Sequence, residues 1–131
     1  MPRKKYKLNL IAVDFDDTIC FGNNEDDPSK TTYTFDMNAI RILKNFQKRG
    51  GSVILWTCRS GDSLSRAVNE LAGIGFYPDY VNYDHKSTIA KWGDNGRKVY
   101  ADLYIDEKNS IDRKVDWNTI EEWLQRREEN G

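Results

Sequence analysis

The chain has 131 residues, with 20 Lys and Arg against 21 Asp and Glu and a formal net charge of −1. That length suits one domain, and a balanced charge gives no bulk attraction to nucleic acid or to a membrane surface. No stretch approaches the roughly 20 apolar residues a membrane span needs, and the basic edge Arg3 to Lys7 leads into too short an apolar run for a signal peptide, so a cytoplasmic protein is expected.

The first element is an apolar run from Leu8 to about Asp14, rich enough in β-branched residues to be a strand buried on both faces. It ends abruptly in Asp14, Asp16 and Asp17, followed by Thr18. A polar loop with Gly22, Asn23, Asn24 and Pro28 follows; residues 18–35 are expected to form a short flap. Asp36 is the expected N-cap of a helix whose inner face carries Ala39, Ile40, Ile42, Leu43 and Phe46, and Gly50 and Gly51 stop it. Ser52 to Thr57 is a second buried strand. Ser60 or Asp62 caps the next helix, with Leu64, Ala67, Val68, Leu71 and Ala72 inward and Gly73 and Gly75 at its end.

Tyr80 to Asn82 gives a weak third strand. The polar stretch from Tyr83 to Arg97 has room for one short helix near Ser87 to Trp92. Val99 to Ile105 is a fourth strand, interrupted in pattern by Asp102 and closed by Asp106 and Glu107. Asp116 caps a final helix carrying Ile120, Trp123 and Leu124 inward. Strands separated by helices predict βαβ units, a mostly parallel sheet and right-handed crossovers. Cys20 and Cys58 fit no metal or disulfide spacing and are expected as free thiols.

Acidic residues just past a strand lie where an open α/β sheet binds its ligands, in the crevice beyond the carboxyl ends. Crowded carboxylates repel one another and invite a divalent cation such as Mg²⁺, which prefers oxygen ligands. Asp14 to Thr18, Thr57, a lysine before the fourth strand, and Asp106 with Glu107 would all fall on that one edge. Phosphoryl transfer needs such a set: a nucleophile, a metal and a lysine against the phosphoryl oxygens, a hydroxyl to position one of them, and an acid for the leaving oxygen.

Over about Leu8 to Asn109 the chain resembles the haloacid dehalogenase superfamily of phosphohydrolases. Asp14-Phe15-Asp16-Asp17-Thr18 matches the first motif of that family, Val53-Ile54-Leu55-Trp56-Thr57 the second, and Leu103-Tyr104-Ile105-Asp106-Glu107 the fourth, with Glu107 where Asp is commoner. The segment Arg97 to Asn109 is similar to the small uncapped members found in bacteria and phages. The resemblance implies a three-layer, Rossmann-like α/β fold with a mostly parallel central sheet and no separate cap domain, residues 1–131 forming one hydrolase domain. It implies Asp14 as nucleophile, Asp16 as general acid and then base, and Asp14, Asp106 and Glu107 around Mg²⁺ together with Asp16, which lends its backbone carbonyl. Thr57 and Lys98 join Asp14 and Asp16 as catalytic residues, with Lys86 and Lys91 as competitors for the lysine. Thr18 and Arg59 are expected at the substrate, although Arg59 suits an ion pair equally well.

Asp102 is expected as a strand-entry cap rather than a further metal ligand, Asp17 as a turn residue, and His85 as exposed. The expected substrate is a small phosphorylated metabolite or nucleotide. An open site also admits a polynucleotide end, which the acidic Glu25, Asp26 and Asp27 of the flap disfavour, or a wall supplied by a second copy of the chain in a homo-oligomer. A non-catalytic binding protein, a receiver-like domain and a metal-dependent nuclease are the rival readings.

Overall fold

The computed structural model describes residues 9–22, 32–82, 100–109 and 114–130. Within them lie strands β1 (Leu10–Val13), β2 (Ser52–Leu55), β3 (Tyr80–Val81) and β4 (Leu103–Ile105), and helices α1 (Met37–Lys48), α2 (Gly61–Gly73) and α3 (Trp117–Asn130). The strands form one sheet in the order β3-β2-β1-β4, and every pairing in it is parallel. This is the expected Rossmann-like α/β architecture.

Both faces of the two central strands, β1 and β2, are buried, which is why they read as unbroken apolar runs rather than alternating ones. Ile11, Val13, Val53 and Leu55 point into one core with Ile40 and Leu43 of α1, Ala67 and Leu71 of α2, and Trp117 of α3. Leu10, Ala12 and Ile54, the alternate residues, form a second cluster with Ala101 on the other face. The connections β1-α1-β2 and β2-α2-β3 step the same way across the sheet, so right-handed crossovers bring both helices to one face. Their shared cluster agrees with that.

The helix starts follow local chemistry. Asp36 accepts from the amides of Asn38 and Ala39 at the start of α1, and Asp116 accepts from the amide and hydroxyl of Thr119 at the start of α3. Ser60 occupies the N-cap of α2 without a side-chain bond to the helix, and Asp62 stands in its first turn. Gly50, at φ +94°, turns the chain from α1 into β2, a conformation that a Cβ would strain. Across the sheet face, α1 and α3 are joined by the Arg41–Glu121 ion pair and by Asn38, which donates to Asn118 at 2.8 Å.

All four strands are shorter than the sequence pattern suggests. Leu8 and Val99 lie outside the described residues, and β4 begins only at Leu103 because Asp102 has another task. Its carboxylate accepts from the amides of Asn9 (2.8 Å) and Leu10 (3.0 Å), and its own amide donates to the Leu10 carbonyl at 2.9 Å. Asp102 is thus a strand-entry cap on β1, at the sheet edge opposite the acidic cluster. The expected helix near Ser87 to Trp92, His85 and most of the flap also fall outside the described residues. The base of the flap is visible: Phe21 donates to Thr34, Asp36 donates to Ile19, and Cys20 bridges Phe35 in antiparallel sense. Cys20 is buried and Cys58 exposed, both as free thiols. No described helix is long and apolar enough to cross a membrane.

Replacing Asp102 with Ala strips two amides of their acceptor and is expected to cost roughly 1–2 kcal/mol in urea unfolding. It should leave cation binding at the opposite edge unchanged. A loss of cation affinity in that variant would return Asp102 to the list of ligands.

Candidate functional site

Register puts the site together. Val13 pairs with Leu55 on one side and Ile105 on the other, so three strand ends are level. Asp14 leaves β1, Trp56 and Thr57 leave β2, and Asp106 and Glu107 leave β4. The Asp14 amide donates to the Ile105 carbonyl at 2.9 Å and the Trp56 amide to the Val13 carbonyl at 2.8 Å, which carries the pairing one residue past the strands. The chain runs from β1 to β2 on one side and returns to β4 on the other, so this crevice is the switch point of the sheet.

One carboxylate oxygen each from Asp14, Asp106 and Glu107 lie within 4.8 Å of one another. This all-oxygen, anionic donor set suits a hard divalent cation. Burial first, and then the charges of Asp106 and Asp16, push the Asp14 carboxyl up from 3.8 to about 6, against the pull of the Phe15 amide and the Thr18 hydroxyl. A cation would relieve that repulsion. Asp106 is fixed from behind by the Lys108 amide, which donates to it at 3.1 Å as the chain enters the 3-10 turn Glu107–Asn109.

Thr18 is the main correction to the sequence reading. Expected at the substrate, it is fully enclosed, at 0% exposure. Its hydroxyl donates to Asp14 at 3.4 Å and accepts from the Glu107 amide at 3.1 Å, while its carbonyl accepts from the Trp117 indole at 3.2 Å. Thr18 therefore ties the two carboxylate-bearing segments together through its side chain and anchors them to α3 through its carbonyl. It gets there because Phe15 turns sharply after β1: its carbonyl accepts from the amides of Ile19 and Cys20, both at 3.1 Å, and Asp17 takes φ +62° as the expected turn residue.

Asp16 is expected to reach a metal through its backbone carbonyl, and its carboxylate is not in the cluster. Arg59 grips it with both arms of the guanidinium, Nε to Oδ2 at 2.9 Å and NH2 to Oδ1 at 2.8 Å. The Arg59 plane lies 5.0 Å from the Phe15 ring centre and 5.6 Å from that of Tyr33, and its third nitrogen donates to the Ser63 hydroxyl at 3.1 Å. Arg59 is therefore seen in the ion pair that the sequence offered as its alternative role.

Thr57 lies two residues past the end of β2. Its amide donates to the Asn82 side chain at 2.8 Å, and its hydroxyl oxygen accepts from the Arg59 amide at 3.1 Å. Asn82, Trp117 and Tyr33 were not singled out in the sequence as parts of the site. Only Asn82 carried a local signal, an Asn ending a strand, and it holds φ +51° there. Lys98, Lys86 and Lys91 lie outside the described residues.

No protein-family model matches the chain, and no curated protein does either. Among solved structures, a conserved protein of Bacteroides thetaiotaomicron is similar over 92% of this chain and 92% of its own, with a TM-score of 0.70 and 29% sequence identity. The likeness agrees with the α/β fold of the described residues.

Two outcomes test this geometry. An acid that holds its proton more tightly in the folded state weakens the fold as pH rises from 3.8 to about 6, and the loss is complete above that range. Without added cations, Asp14→Asn should therefore melt above the wild type over and beyond that window, and Mg²⁺ should raise the melting temperature of the wild type alone. Identical pH profiles would remove Asp14 from a strained cluster. Thr18→Val, which leaves the Glu107 amide without its acceptor, should cost about 1–3 kcal/mol; Thr18→Ser should recover most of it.

Proposed function

We propose that this chain is a Mg²⁺-dependent phosphohydrolase of the haloacid dehalogenase type, acting on phosphate monoesters through an aspartyl-phosphate on Asp14. The observation that supports it best is the convergence of Asp14, Asp106 and Glu107 at the switch point of the sheet, one strand away from Thr57. Bound there, Mg²⁺ would offset the negative charge of the carboxylates and of the incoming phosphoryl group.

In the proposed first step an Asp14 carboxylate oxygen forms a bond to phosphorus. The ester bond breaks, its electron pair leaves with the alcohol oxygen, and that oxygen takes a proton from Asp16. In the second step a water oxygen attacks phosphorus and passes a proton to Asp16. The bond to Asp14 breaks and inorganic phosphate leaves. The Thr57 hydroxyl donates to a phosphoryl oxygen throughout, and Lys98 is the proposed cation beside it, with Lys86 and Lys91 as the alternatives. The proposed substrate is a small phosphorylated metabolite or a nucleotide.

One observation favours a second reading, a binding protein that does not turn over. Arg59 occupies both oxygens of Asp16, so Asp16 serves as acid only after it is released. Turnover decides between the two. With Mg²⁺, 4-nitrophenyl phosphate and a panel of phosphorylated metabolites and nucleotides should release phosphate, chelation should stop it, and Asp14→Asn should lower kcat by a factor of about 10³ or more. Asp16→Asn should slow alkyl phosphates far more than 4-nitrophenyl phosphate, whose leaving group needs no proton. Hydrolysis of bis(4-nitrophenyl) phosphate in place of the monoester would point to a nuclease. Absence of hydrolysis across the panel would favour the binding protein.

A further inference from the structure

Arg59 is held on four sides. Asp16 takes two of its nitrogens, Ser63 takes the third at 3.1 Å, and Phe15 and Tyr33 lie against the guanidinium plane. The two partners of the ion pair are unequally fixed. The Arg59 side chain is 11% exposed, whereas that of Asp16 is 40% exposed. If the pair opens, the rings and Ser63 keep the guanidinium in place and the carboxylate is the group that moves.

The planar fork that fits a carboxylate with two parallel hydrogen bonds fits a phosphoryl group equally well, and a dianion competes for it with twice the charge. Arg59 is also next to the phosphoryl position assigned above. Its own amide donates to the Thr57 hydroxyl, so the two side chains rise from one three-residue turn at the end of β2.

We propose that Arg59 is a phosphate-binding residue whose site Asp16 occupies at rest, so that an arriving phosphoryl group displaces Asp16 and releases it toward the leaving oxygen. This rests on the phosphohydrolase reading and adds a substrate-operated latch to it. A group without the anionic head leaves Asp16 locked, whatever its remaining shape. The self-occupied fork also lowers the apparent affinity for phosphate by the fraction of molecules in which it is closed.

The test is a double-mutant cycle read by isothermal titration with inorganic phosphate at fixed, saturating Mg²⁺. Removing the competitor in Asp16→Asn should tighten phosphate binding by about fivefold, the worth of a partly exposed ion pair. Asp17→Asn removes the same charge one residue away on an exposed turn and should leave the affinity unchanged. In an Arg59→Gln background, binding should weaken and Asp16→Asn should bring no gain. Arg59→Lys, which keeps the charge without the fork, replaces Gln should that variant fail to fold. A gain that survives without Arg59, an equal gain from Asp17→Asn, no gain at all, or no phosphate binding by any form overturns the latch. Monoester hydrolysis is scored separately: turnover without coupling between Asp16 and Arg59 removes the latch and leaves the phosphohydrolase, and coupling without turnover removes the phosphohydrolase and leaves only competition between Asp16 and phosphate for Arg59.

Discussion

The site depends on β1 having a partner on each edge. Parallel pairing with both β2 and β4 in fixed register brings residues more than ninety positions apart to one level, and nothing local in the chain would do so. The register is held because both faces of β1 are buried, and a slip of one residue would exchange the contents of the two cores. Apolar side chains buried in the two cores therefore set the spacing of the carboxylates at the strand ends. The reach of that control is short, one residue beyond each strand, and the carboxylates fall within it.

Holding like charges together is unfavourable, and the structure shows where the restraint comes from. Thr18 has no access to solvent, and its hydroxyl stands between Asp14 and the amide of Glu107. Trp117 takes the Thr18 carbonyl from below, so the first turn of α3 supports the crevice without lining it. A second set of contacts of this kind keeps the crowded acids in place.

The strands, the helix boundaries and the caps at Asp36 and Asp116 were legible in the sequence because their causes are local: apolar periodicity, a side-chain oxygen at the start of a helix, glycine at its end. Asp102 was legible in part, as a polar residue that interrupts a strand pattern; that its carboxylate would serve a neighbouring strand ninety residues away depends on the pairing. Thr18 was misjudged for the same reason. A threonine after an acid pair looks the same in sequence whether it faces a ligand or is sealed behind the loop, and only the turn at Phe15 decides. Arg59 gave two readings of equal weight. The choice between them rests on the flap base, which brings Tyr33 against the guanidinium, and on the sharp turn that aims Asp16 at it.

The two thiols differ in a way that makes the molecule easy to instrument. Cys20 is enclosed behind the loop, and burial, with the Asp16 charge adding to it, pushes its thiol up to about 11, so little nucleophilic thiolate forms near neutrality. Cys58 is exposed between Thr57 and Arg59. A maleimide dye thus has one open attachment point in the native chain, in the turn that follows β2, without any engineered cysteine.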